Sequence, residues 1–151
     1  MIVRSGGLDH PATARLLAAH LADMHASSPP GSVYALDLSA LATPDIAFYT
    51  AWDGDALLGC GALRTLGDGM GEIKSMRTDA VARGRGVAQA ILDRLVADAR
   101  AAGLARLLLE TGTGPMFDAA QRLYARNGFA PCPPFGTYIA TPFNRFLSRT
   151  L

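Results

Sequence analysis

Residues 83 to 110, RGRGVAQAILDRLVADARAAGLARLLLE, constrain the fold more than any other stretch of the chain. From Val87 the apolar positions 87, 88, 91, 92, 95, 96 and 99 recur at three- and four-residue spacing and trace one broad face of a helix. Gly103 can close that helix at its C-terminal end. The following RLLLE, residues 106–110, is too short and too continuously apolar for an exposed helix, so it reads as a buried strand. A helix with so wide an apolar face, followed at once by a buried strand, belongs against a sheet.

The flanking sequence supplies the rest of that sheet. A short opening strand precedes a helix that Asp9 can cap, with Leu16, Leu17, His20, Leu21 and Met24 at helical spacing and an expected end near His25. SSPPGS is a loop by composition, and Pro29 argues against the helix running through it. Residues 46–52 and 56–63 read as two strands joined by a turn at Asp53-Gly54, and GEIKSMRT follows the turn GDGMG as a third. Pro115 can sit in the first turn of a second helix reaching Arg126, with Asn127-Gly128 as its left-handed stop. FAPCPPFGTYIATPFNRFLS then has the turn residues and aromatics of a loop followed by terminal strands. With no repeat, low-complexity tract or linker, residues 1–151 are expected to form one α/β (α+β) domain, a mixed sheet with helices on its faces.

Composition narrows the function classes. The 151 residues carry a formal net charge of +1, without the basic excess of a nucleic-acid binder. Of the fourteen basic residues, Lys74 is the single lysine. The N-terminus lacks a signal-peptide pattern and no stretch approaches the roughly 20 apolar residues of a membrane span, so a cytoplasmic protein without a membrane partner is expected. Cys60 and Cys132 fit no metal or CxxC spacing and read as reduced structural thiols. His20 and His25, five apart, diverge on a helix and cannot form an i, i+4 metal pair, so no metal is expected. His20 reads as core or boundary; His25, beside the SSPPGS loop, is within reach of an acceptor site.

Arg83, Gly84, Arg85 and Gly86 stand directly before the long helix. Free backbone N–H groups and the positive end of the helix dipole converge there, and glycines let a bulky anion approach the main chain. A phosphate or pyrophosphate is the natural guest. The dinucleotide fingerprint would need glycine or alanine at position 89, where Gln89 stands, and a Walker loop would need GK[ST]; neither is present.

The segment Arg83-Gly84-Arg85-Gly86-Val87-Ala88 resembles the acetyl-coenzyme A signature [RQ]xxGx[GA] of the GNAT superfamily of N-acetyltransferases, and LYARNGF resembles that family's LYxxxGF element at the right distance. The resemblance spans essentially the whole chain. It implies a GNAT-like fold: a central, mostly antiparallel mixed sheet of six to seven strands, about four flanking helices, and a splay between two parallel central strands. It further implies acetyl-CoA as cosubstrate, a small-molecule or peptide amine as acceptor, and a homodimer as a compatible assembly. Amides from Gly84 to Ala88, through Val87, would bind the pyrophosphate, with Arg83 and Arg85 adding charge. The pantetheine arm would bond like an added strand to the backbone at Met76 and Thr78, with Arg77 contributing backbone between them and its side chain facing the other way.

Acetyl transfer from a thioester to an amine needs a neutral amine, a stabilised oxyanion and a proton for the departing thiolate. Glu72, eleven residues before Arg83, resembles the glutamate that serves as general base in histone-type members, acting directly or through a water. Lys74 shares its strand face, so an ion pair is the competing role for Glu72. Tyr124 matches the tyrosine that protonates the thiolate in many members, and a backbone N–H near Met76 would hold the oxyanion. Many members carry asparagine shortly after the strand before the last helix. Here the sequence reads ETGTGPM, which makes Glu110 a second acidic candidate. Residues alone leave open a non-catalytic module that senses acyl-CoA. DLSAL and PCPPFG are expected to shape the acceptor cleft.

Overall fold

The structure, a computed structural model, describes residues 1–29 and 38–151. In chain order it contains β1 (Ile2–Ser5), α1 (Pro11–Ser27), β2 (Ile46–Asp53), β3 (Ala56–Gly67), β4 (Met70–Thr78), α2 (Val87–Ala101), β5 (Arg106–Thr111), α3 (Asp118–Arg126), β6 (Ala130–Pro131) and β7 (Arg145–Thr150). The seven strands form one sheet in the order β1-β2-β3-β4-β5-β7-β6. Every neighbouring pair is antiparallel except β4 and β5 at the centre, which are parallel. That parallel pair is possible because α2 carries the chain back between them.

Both faces of the sheet are covered. Val87, Ile91, Leu92, Leu95, Val96 and Ala99 of α2 are buried against Tyr49, Leu63, Ile73, Leu107 and Leu109, and Leu123, Tyr124 and Phe129 from α3 and its exit join the same cluster. Each large aliphatic side chain sequestered there contributes about 1.5–3 kcal/mol. On the opposite face Leu16 and Leu17 of α1 pack with Leu41, Phe48, Cys60 and Ala62. Leu41 lies in a short 3-10 turn, Ala40–Ala42, and residues 38–41 of DLSAL are among the described residues. SSPPGS begins at the end of α1 and runs into residues that lie outside them.

Several boundaries differ from expectation. The cap of α1 is His10, not Asp9: its Nδ1 accepts from Ala12 N at 3.0 Å, and Pro11 occupies the first helical position, which fixes the cap one residue later. The helix continues two residues past His25, to Ser27. Pro115–Phe117 is a separate 3-10 turn, and α3 begins at Asp118. Instead of about four helices, the described residues hold three α-helices and three short 3-10 turns. The β4 entry turn is made by Asp68 and Gly69, both left-handed (φ 54° and 73°), between the paired Gly67 and Met70.

Close approach of α2 to the sheet depends on β3 glycines. A Cβ at Gly59 would stand 2.7 Å from the Arg77 carbonyl oxygen and 2.8 Å from Val87 Cγ1. Backbone on one side and the start of α2 on the other leave little room to yield. Gly59→Ala is therefore expected to destabilise the fold by about 1–3 kcal/mol, seen as a lower urea midpoint with an unchanged slope.

Candidate active site

The central parallel pair is short. Met70, Gly71 and Glu72 pair with Arg106, Leu107 and Leu108, and no β4–β5 pair follows although both strands continue. A bulge on β4 accounts for the divergence. Lys74 pairs with Ala62 and Arg77 with Cys60, so Ser75 and Met76 together face Gly61, and Ser75 takes a left-handed conformation at φ 54°. Such a bulge bends the strand and strengthens its twist. Glu72 thus stands at the last paired position, where the fork opens.

The bulge also sorts the side chains. Ile73 and Met76 pack into the α2 cluster, whereas Arg77 is hydrogen-bonded to Asp23 of α1. Met76 and Arg77 therefore point to opposite faces. Glu72 and Lys74 take the α1 face by alternation, as does Glu110 on β5, since its neighbour Leu109 belongs to the α2 cluster. The fork holds a cavity of about 110 Å³ lined from the α1 face by His20, Met24, Glu72, Lys74 and Glu110, and from the other by Ile73, Met76, Ala120 and Tyr124. The cavity lies between the separated strands, with carboxylates on its α1 side and the buried Tyr124 on the other.

Glu72 is 3% exposed. Its Oε2 accepts from Lys74 Nζ at 3.0 Å and from the Tyr138 hydroxyl at 2.5 Å, and the Lys74 ammonium also donates to that hydroxyl at 2.5 Å. The ion pair foreseen from strand alternation is present, and a buried carboxylate needs such partners. Burial and the Glu72 hydrogen bond push the Tyr138 hydroxyl well above its ordinary range, so it stays protonated as a donor. Glu110 is tied less firmly: Asn144 Nδ2 donates to it at 3.4 Å. Burial is the main cause that pushes its carboxyl up to about 6, with Glu72 adding repulsion, while Asn144 and Lys74 pull it down. Tyr124 is buried, packs edge-on against Phe129, and is pushed far above its ordinary range by burial. It too is a protonated hydroxyl at neutral pH.

On the other side of β4 the chain passes through a 3-10 turn, Ala80–Ala82, to the glycine loop. Gly84 and Gly86 have φ of 76° and 79°, and no atom lies within 4 Å of where a Cβ would stand on either. Gly86 is the N-cap of α2 and provides no side-chain cap, so the first-turn N–H groups of Val87 and Ala88 face outward without one. This bare, left-handed approach to a helix N-terminus fits a diphosphate. Arg83 and Arg85 are exposed beside it; Arg85 makes a 3.3 Å ion pair with Asp53 in which both side chains are more than half exposed, a contact of little energy that a ligand can replace. Thr78 pairs with Gly59 at the far end of β4.

Other candidates fall as follows. Cys60 is buried and its thiol is pushed up to about 12 by burial, so it is inert, and Cys132 is a second free thiol. His25 is exposed. His20, expected as core or boundary, lines the fork. Tyr138 and Asn144 were not foreseen, because they lie in the irregular segment between β6 and β7, where no period marks which side chains turn inward. Among the described residues no helix is long and apolar enough to cross a membrane.

Burial, then the positive charge of Arg77, pushes the His20 imidazole down to about 4, with Asp23 acting the other way. Between that value and the ordinary 6.5 the unfolded chain binds more protons than the folded one. Stability is therefore present at neutral pH and is lost as pH falls from about 6.5 towards 4. This group alone should make the fold roughly 2 kcal/mol less stable at pH 5 than at pH 7. Urea titrations at both values should show that difference shrinking in His20→Leu.

An open glycine loop at a helix N-terminus, joined by a bulged strand to a cavity in a forked sheet, is the arrangement these residues make. Comparison with known proteins gives the family. The profile of the Acetyltransferase (GNAT) family matches residues 14–129. The chain is 45% identical over 149 residues to YedL of Escherichia coli K12, described as an N-acetyltransferase, covering 99% of this chain and 94% of that one. It is 45% identical over 132 residues to YsnE of Bacillus subtilis 168, likewise described, covering 87% of each. A crystal structure from Klebsiella pneumoniae described as an acyl-CoA N-acyltransferase superposes with a TM-score of 0.84 at 28% identity, covering 99% of this chain and 97% of that one. The chain belongs to the GNAT family and is an acetyl-CoA-dependent N-acetyltransferase. These relatives bear the names of enzymes, which disfavours a module that only senses acyl-CoA.

Proposed function

We propose that the protein transfers acetyl from acetyl-CoA to a primary amine of a small molecule or peptide by direct attack within the fork. The amides of Gly84 to Ala88, with Arg83 and Arg85, hold the diphosphate, and the main chain of Met76, Arg77 and Thr78 pairs with the pantetheine arm as an added strand. When bound, acetyl-CoA supplies the activated acyl group. Glu72 takes the amine's proton, directly or through a water; an N–H near Met76 stabilises the oxyanion; Tyr124 returns a proton to sulfur.

One observation carries this reading: the cavity between the separated strands has carboxylates on its α1 side and a protonated, buried tyrosine on the other. An acyl group threaded between them meets a base on the amine side and an acid on the thiol side. A second assignment of the base has its own support. Glu72 is engaged by two donors, whereas Glu110 has one long hydrogen bond and a carboxyl raised to about 6, closer to the pH at which a base works.

The test is chromatographic measurement of free coenzyme A across a panel of amino acids, polyamines, aminoglycosides and peptides. At least one amine is expected to raise release well above the hydrolytic background. A chain that binds coenzyme A but responds to no amine would contradict the proposal.

A further inference from the structure

We propose that Lys74 is itself an acetyl acceptor: without an external amine, the protein transfers one acetyl group to its own Lys74 Nζ. The inference rests on the fork being the acetyl-transfer site, as proposed above. Lys74 is the only lysine in the chain. Its side chain, 8% exposed, lines the fork two residues beyond Glu72. It lies past the last β4–β5 pair, on the stretch where the strands have separated. Its nitrogen is already held as an acceptor amine must be, hydrogen-bonded at 3.0 Å to a carboxylate and at 2.5 Å to a tyrosine hydroxyl. The thirteen remaining basic residues are arginines, whose guanidinium groups stay protonated and do not compete as nucleophiles.

The step balances with acyl-coenzyme A thioester as the only co-reactant. Lys74 passes one ammonium proton to Glu72 along the existing hydrogen bond, and from there it reaches solvent. The nitrogen then forms a bond to the acyl carbon as the carbon–sulfur bond breaks. Tyr124 protonates the departing sulfur and is replenished by the second proton leaving the nitrogen. The products are Nε-acetyl-lysine, free thiol and one proton. Modification removes the cation from the buried pair and leaves Glu72 with Tyr138 alone, so an external amine that reaches the fork first protects the site.

The full chain incubated with acetyl-CoA and no amine should gain one acetyl group in intact mass, mapping to the peptide that contains Lys74. Lys74→Arg, which keeps the cation, should gain nothing there. Glu72→Gln should slow the gain about tenfold or more, and an external acceptor should suppress it. No added mass, addition only at the Met1 amine, or equal rates in folded and urea-unfolded chain would each overturn the inference. A chain that turns over an external amine yet never gains the Lys74 mass removes this inference alone. One that does neither removes the transfer site on which it rests as well.

Discussion

Glu72→Gln is expected to lower kcat/KM for the best amine by about 10²- to 10⁴-fold, the range for removal of a positioned general base. The substitution keeps an oxygen that can accept from Lys74 and Tyr138 but withdraws the negative charge. It therefore also leaves a buried ammonium without its counter-ion, which is costly for folding. Melting curves of the variant must accompany the kinetics. Glu110→Gln separates the two candidate bases through pH. Because the Glu110 carboxyl is raised to about 6, a rate that depends on its ionised form climbs as pH rises through about 6. That limb should vanish in Glu110→Gln and survive in Glu72→Gln if Glu110 is the base. If Glu72 is the base, Glu110→Gln keeps most of the activity. Stability gives an independent readout with its own sign. Between the ordinary value of 4.5 and about 6 the folded chain binds more protons than the unfolded one, so Glu110 favours folding at low pH and that advantage is lost as pH rises through 6. Glu110→Gln should accordingly melt higher than the parent above pH 6.

The parts of this site that were legible in the sequence are those governed by a local period. Six of the seven apolar positions assigned to the helix face after Val87 are buried, and the seventh, Ala88, is partly so. Two-residue alternation placed Lys74 beside Glu72, and the 3.0 Å bond between them follows from it. Alternation fails at Ser75, because nothing about a serine announces a left-handed residue; the bulge is imposed by pairing with β3, and it decides that Ile73 and Met76, three apart, share a face. Tyr138 was hidden for a different reason. It reaches Glu72 from 66 residues away, out of a segment whose prolines and aromatics specify turns but no facing direction. There Phe135, Tyr138 and Phe146 pack edge-on or tilted against one another, and that contact orients the hydroxyl. The raised carboxyl of Glu110 is likewise a tertiary property: its place on β5 was readable, but its burial near Glu72 was not. The cap of α1 was misassigned between two adjacent polar residues, although Pro11 marked the boundary.

Gly86→Glu is expected to weaken coenzyme A binding by about 10- to 100-fold while leaving the fold largely intact. In the free chain a Cβ at this position meets no atom within 4 Å. The cost there is conformational: a non-glycine residue at φ 79° loses about 1–2 kcal/mol. A carboxylate beside a helix N-terminus recovers about 0.3–1 kcal/mol of that through the dipole, so net destabilisation should be close to 1 kcal/mol. With ligand the same carboxylate occupies the anion's approach and repels a diphosphate. Two like charges 4 Å apart near a protein surface interact by up to about 4 kcal/mol, and solvent at this exposed loop reduces that to a part of the full value. Gly86→Ala isolates the conformational component, since it shares the backbone penalty and carries no charge; it should retain most of the affinity. The gap between the Glu and Ala variants should narrow as salt is raised, because only the charge component is screened. Calorimetry with coenzyme A on both variants reads the two contributions separately. Equal, parental affinity in both would show that the diphosphate is held elsewhere, and the assignment of the cradle at the start of α2 would fall with it.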